Sequence, residues 1–133
     1  MIGVLIVTHC DLGRELLHAA EFIVGRIEAA DAIAVTVTTG SESLRKGIQE
    51  KVTLLEHGAG VIILTDMFGG TPSNLSLSFL EQDRVEVLTG VNLPMVIAIV
   101  QYRTSLKLSE LAEKAKEAGK TGISLASKLL EMA

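Results

Sequence analysis

His9 closes an apolar run, Ile2-Gly-Val-Leu-Ile-Val-Thr8, and a segment of helical period follows at once. A second polar loop, Asp66-Met-Phe-Gly-Gly-Thr-Pro-Ser73, closes another apolar run. In a parallel α/β sheet the carboxyl ends of the strands open onto the ligand crevice, so polar residues there meet a substrate without disturbing the core. An imidazole attacks phosphorus through one nitrogen only when that nitrogen is unprotonated. A carboxylate that accepts the proton of the other nitrogen fixes the useful tautomer and orientation. His9 is therefore the candidate nucleophile and Asp66 the candidate orienting acid. The Gly69-Gly70-Thr71-Pro72 turn offers backbone N–H groups at a helix start together with the Thr71 hydroxyl, donors suited to the charge on a transferred phosphoryl group. Gly70, Thr71 and Cys10 are the candidate phosphate contacts, Cys10 because it adjoins a second helix start with its positive dipole end. No lysine or arginine is obligatory in this scheme, which suits a group that must be passed on.

Each of these residues also has an ordinary structural reading. Asp66 alone would cap a turn, Gly69-Gly70 alone would mark a tight turn, and His9 alone would be a satisfied side chain at a strand end. Their joint placement is the signal. Met67 and Phe68 are candidate docking residues for a protein partner, with core packing as the competing reading. His18, inside the first helix, and His57, beside Gly58 at a helix end, carry no catalytic expectation. Cys10 lies too close to Arg14 for the longer cysteine-to-arginine phosphate loop of a tyrosine phosphatase.

The elements that must position these residues alternate in type. Strands are expected at about 2–8, 32–38, 60–66 and 84–89, and helices at about 12–25, 41–57, 72–82, 94–103 and 108–119. This alternation is the signature of βαβ units with right-handed crossovers. It implies a doubly wound α/β fold with a mainly parallel four-stranded sheet, order 2-1-3-4, and helices on both faces. In that order the strands ending at His9 and Asp66 are neighbours at the topological switch point. Ser41 is a candidate helix cap, Gly58 a candidate helix end, and Thr71-Pro72 and Leu93-Pro94 place prolines in first helical turns. The segment 122–129 is nearly period-two and is expected as a fifth, antiparallel strand. Leu129-Leu130-Glu131-Met132 equally suits a short helix.

The 133 residues are expected to form one domain over 1–133, with 48% hydrophobic content but only four aromatic residues, Phe22, Phe68, Phe79 and Tyr102. The net charge of −4 comes without a basic stripe, which excludes nucleic acid as the main partner. No apolar run is long enough to span a bilayer and no secretory signal is expected, so a cytoplasmic location follows as an expectation. Cys10 is the single cysteine and can form neither an internal disulfide nor, by itself, a metal site. No zinc framework is expected.

Val7-Thr8-His9, Ala19-Ala20-Glu21, Asp66-Met67-Phe68-Gly69-Gly70-Thr71-Pro72-Ser73-Asn74 and Thr89-Gly90-Val91-Asn92-Leu93-Pro94-Met95 together resemble the mannose-type IIA component of the bacterial phosphoenolpyruvate-dependent sugar phosphotransferase system. The resemblance implies that His9 takes a phosphoryl group on Nε2 from the phosphohistidine of the carrier protein HPr and gives it to a IIB component. Asp66 would hold Nδ1, and Thr71 would help bind the phosphate. It also implies a homodimer in which the C-terminal strand is exchanged, no cofactor, and membrane association only through a IIC/IID transporter complex. The chain lacks a linker to IIB, so a separate acceptor protein is expected. Cys10 stands where the family usually has glycine.

Two related readings remain beside it: a phosphotransfer subunit serving dihydroxyacetone kinase, and a regulatory phosphohistidine module without a transport role. The Gly90-Val-Asn-Leu-Pro94 segment favours the sugar system over the kinase subunit. A receiver domain would carry phosphate on an aspartate at Asp66's position, but it needs an acidic pair after the first strand, where Thr8-His9 stands.

Overall fold

In the computed structural model, which describes residues 1–131, the first six residues of Gly3–His9 (β1) and all five of Val61–Thr65 (β3) are buried. Runs of Val, Ile and Leu without alternation form strands of this kind when helices cover both faces of a sheet. Ala30–Val35 (β2) and Val85–Thr89 (β4) complete the sheet, whose order is β2-β1-β3-β4 with every pairing parallel. The connections are Leu12–Val24 (α1), Ser41–Leu55 (α2), Thr71–Leu77 (α3), Leu93–Tyr102 (α4) and Leu108–Thr121 (α5); Ala126–Glu131 (α6) follows. This is the doubly wound arrangement that the element alternation implied.

Side-chain parity divides the core. Val4, Ile6, Ile62 and Leu64 pack with Leu17 and Ala20 of α1, with Met95, Val96 and Ile99 of α4, and with Leu108, Leu111 and Ala115 of α5. Leu5, Val7, Val61, Ile63 and Val85 point the other way, onto Leu44, Ile48 and Leu55 of α2, with Leu75 and Phe79 at the margin. Val7 pairs with Thr65 in the β1–β3 register, so His9 and Asp66 emerge side by side where the two strands run out. His9 is the only exposed residue of β1.

Several boundaries differ from expectation for local reasons. Strand β2 begins two residues early and stops at Val35, because the Thr36 amide donates to Thr39 Oγ1 at 3.0 Å and the Thr39 amide returns to the Thr36 carbonyl at 3.1 Å. Threonine hydroxyls here replace ladder bonds with a turn. Helix α3 ends at Leu77 rather than 82, since Ser78, Phe79 and Leu80 each donate three residues back in a tightened final turn. Ser41 is not a cap: Gly40 holds that position, and α2 ends at Leu55, where the Glu56 carboxylate gathers the amides of Gly58 and Gly60.

The expected fifth antiparallel strand is corrected. Segment 122–129 enters no sheet; Lys128 and Leu129 donate to the Leu125 carbonyl at 3.0 Å, and residues 126–131 are helical with no buried side chain. Alternation holds only from Ile123 to Leu125, and Leu129-Leu130 then breaks it, too short a pattern to decide between periods. Of the alternative short helix, Met132 lies outside the described residues.

At the opposite end of the sheet Arg103 is 4% exposed and fastens three chain segments. Its guanidinium donates twice to the Ile2 carbonyl, at 2.9 and 2.6 Å, to Glu28 O at 2.6 Å and to Ala29 O at 2.8 Å. Burial lowers its affinity for the proton, and Glu28 opposes that. Arg103→Met is expected to cost about 3 kcal/mol, because the Ile2 and Glu28 carbonyls lose their donors and the Ala29 carbonyl keeps only the Val4 amide. A urea denaturation midpoint checks this.

Candidate active site

The strand ends put a carboxylate against an imidazole. Asp66 Oδ2 lies 2.8 Å from His9 Nδ1 and also accepts the His9 backbone N–H at 3.0 Å, while Oδ1 accepts the Met67 amide at 3.0 Å. One side-chain oxygen thus fixes both the main chain and the ring of His9. Burial would raise the Asp66 pKa, but the hydrogen bonds from the His9 ring and amide, with the charge interaction they accompany, outweigh it and hold the carboxyl below its ordinary value. An ionised carboxylate only accepts hydrogen bonds, so Nδ1 carries a proton, and in the neutral ring the lone pair is left on Nε2. The Asp66 side chain is 13% exposed and that of His9 49%. The acid is sheltered and the ring opens to solvent.

The Gly69-Gly70 turn forms the other wall. A Cβ at Gly70 would stand 2.9 Å from His9 Cε1 and 3.3 Å from Nε2, so the missing side chain is what lets the turn approach the ring. Ser73 is fully buried and shapes this turn: its Oγ accepts the Gly69 amide at 2.9 Å and donates to the Gly70 carbonyl at 3.4 Å. Gly70 is the N-cap of α3, and Thr71 is its first, exposed residue. The first amides of a helix have no partner within it.

Cys10 is exposed and adopts φ +52°, the left-handed region that favours glycine, as the chain turns from β1 into α1. Its amide donates to the Val35 carbonyl at 2.8 Å. Met67, Phe68 and Leu12 are 56%, 71% and 48% exposed, so Met67 and Phe68 are not core residues. Arg14 is held by Asp31 and the Ala32 carbonyl. His18 lies within reach of Glu15 on α1. The roles of Ser73 and of Thr8, whose buried hydroxyl caps α1 through the Gly13 amide at 2.9 Å, were missed in the sequence; serine and threonine beside helix starts were the available signal.

Clefts of about 710 and 650 Å3 lie elsewhere, along Tyr102 and α5 and between α2 and Phe79, and His9 lines neither. The His9 ring sits on an open face. Among the described residues no group of three His, Cys, Asp or Glu side chains is arranged to hold a metal, and no helix is long and apolar enough to cross a membrane.

Residues 3–116 match the family model for the PTS system fructose IIA component, EIIA-man. The chain belongs to this family. The fructose-specific EIIA component of Bacillus subtilis is 29% identical over 132 residues, 98% of this chain and 90% of that protein. The mannose-specific EIIAB component of Escherichia coli K12 is 30% identical over 124 residues, 92% of this chain but only 38% of its own length. Among solved structures, phosphotransferase system component EIIA from Streptococcus agalactiae superposes with a TM-score of 0.87 at 31% identity, covering 96% of this chain and 99% of that one. As a mannose-type IIA component, the chain is a phosphotransferase of the sugar phosphotransferase system.

Two variants of this IIA component test the geometry. Gly70→Ala is expected to remain folded while displacing the ring, read as loss of the hydrogen-bonded His9 Nδ1–H resonance by NMR. Because the folded Asp66 pKa is lowered, its contribution is full above the unfolded value, near the ordinary 3.8, and is lost as pH falls through the folded value. The stability difference between wild type and Asp66→Asn should therefore shrink on acidification below about pH 4. Denaturant titrations across that range measure it.

Proposed function

We propose that the protein is a phosphohistidine carrier in which His9 accepts a phosphoryl group from phospho-HPr and delivers it to a IIB component during sugar uptake. The observation that carries this reading is the 2.8 Å contact between His9 Nδ1 and Asp66, which leaves Nε2 as a lone-pair nucleophile on an exposed face. The Nε2 lone pair attacks phosphorus. The donor's N–P bond breaks, and its electron pair returns to the donor imidazole. Asp66 retains the Nδ1 proton by hydrogen bonding and offsets the positive charge that develops on the ring. In the second step a nucleophile of IIB attacks phosphorus, and the pair of the Nε2–P bond returns to His9.

Amides at the start of α3, beside Gly70, and the Thr71 hydroxyl are suited to the phosphoryl oxygens. Cys10 follows His9 and is exposed; its amide is taken by the Val35 carbonyl, so it would contribute through its thiol. Met67 and Phe68, exposed beside the acid, would form the apolar part of the docking face for HPr and IIB. Ile123, Leu125, Leu129 and Leu130 are 60–75% exposed, a cluster that favours a homodimer using the C-terminal segment. The protein would act in the cytoplasm and meet the membrane through its transporter partners.

The decisive experiment supplies labelled phosphoenolpyruvate, enzyme I and HPr to wild type and to His9→Ala. Wild type should take up label that is lost in acid and stable in base, and His9→Ala none; equal labelling of both refutes the assignment. Asp66→Asn should label about a hundredfold more slowly, since an amide can stabilise the wrong tautomer.

A further inference from the structure

We infer that Thr8 is a positioning residue for the phosphoryl transfer: its hydroxyl sets the main-chain geometry from which the His9 ring reaches Asp66 and Gly70. The inference rests on the phosphocarrier reading for its kinetic consequence, and on geometry alone for its control of the ring.

Thr8 is fully buried, and its Oγ1 makes two contacts. It accepts the Gly13 amide at 2.9 Å and donates to the Cys10 carbonyl at 3.3 Å. The two contacts bracket His9, tying the residue that follows it to the residue before it. They also tie both to the first turn of α1. Asp11, the N-cap by position, makes no side-chain bond to that turn, so the cap comes from the strand instead. The approach is close enough that a Cβ on Gly13 would meet Ile6 Cγ2 at 3.0 Å and the Ile6 carbonyl at 3.2 Å. Helix α1 thus starts packed directly on β1.

Cys10 makes this clamp consequential. A side chain at φ +52° is strained by contact between Cβ and the backbone, and the strained turn persists only where the surroundings impose it. Two bonds hold Cys10: its amide to Val35 O and its carbonyl from Thr8 Oγ1. Without the hydroxyl the turn can relax toward ordinary φ values, and the Cα of His9 moves with it. The ring has little tolerance for that movement, being limited on one side by Asp66 and on the other by Gly70. Displacements of about 1 Å in a reacting group cost up to about a hundredfold in rate.

Thr8→Val keeps the shape and removes the hydroxyl; Thr8→Ser keeps the hydroxyl and removes the methyl. Two readouts are taken on folded protein: the His9 tautomer by 15N NMR, with His18 and His57 as internal references, and the rate of phosphoryl uptake from phospho-HPr. Thr8→Val should lose the single Nδ1–H tautomer of His9, leave the references unmoved, and react at least about tenfold more slowly. Thr8→Ser should match wild type within about twofold on both. A folded Thr8→Val with the wild-type tautomer and rate overturns the inference. If Thr8→Val does not fold, Thr8→Ser decides: wild-type behaviour upholds the inference, and a tenfold fall with a mixed tautomer overturns it. Should wild type take no phosphoryl group at all, the carrier reading fails while the NMR comparison still judges Thr8.

Discussion

The site depends on one oxygen atom. Asp66 Oδ2 receives both the backbone amide and the ring Nδ1 of His9, so the carboxylate anchors the residue and orients its imidazole through a single position. This bifurcated contact requires two strand ends at adjacent positions running in the same direction. The β1–β3 pairing, with Val7 opposite Thr65, supplies that placement. Helices on both faces then bury everything below, leaving the ring as the part of β1 that reaches solvent. The remaining features of the site, the glycine turn and the two hydroxyl clamps, keep the ring where this oxygen can hold it.

The electrostatic balance at the site sets burial against hydrogen bonding. Asp66 is sheltered enough for burial to oppose its ionisation, yet three N–H donors surround it and ionisation prevails. Arg14, on the helix that follows His9, is committed elsewhere: it pairs with Asp31 on the edge strand, as does Lys51. A phosphoryl group on Nε2 would face neutral donors rather than guanidinium or ammonium groups, which would hold it more tightly. The open face and its exposed apolar residues suit contact with a protein surface, whereas an enclosed cleft would suit a small molecule.

Much of this was legible in the chain. Unbroken Val/Ile/Leu runs are fully buried strands, helical periods lie between them, and polar loops follow the first and third strands; those patterns follow from burial and are local. What misled was local chemistry competing with pattern. Thr36 and Thr39 turn the chain at a position whose composition suits a strand, and the Ser78 hydroxyl and tightened backbone bonds end α3 early. At 122–129 a few apolar residues fitted two periods, and the helix formed. The supporting hydroxyls of Thr8 and Ser73 could not be assigned, because a buried hydroxyl's partner is fixed by which backbone groups the turn brings within 3 Å.

The sequence by itself determined which residues are chemically able and which loop carries each: a histidine ending one strand, an acid ending another, and glycines beside a helix start. Side-chain period and burial are properties of neighbouring residues, so these features can be read along the chain. Only the tertiary structure decided that both donors of His9 converge on one oxygen, that the ring stands within contact of Gly70, and that Cys10 takes a glycine-like turn held by a neighbour's hydroxyl. Those are distances between segments separated in sequence, and they are set by the register of parallel strands and the packing of helices upon them.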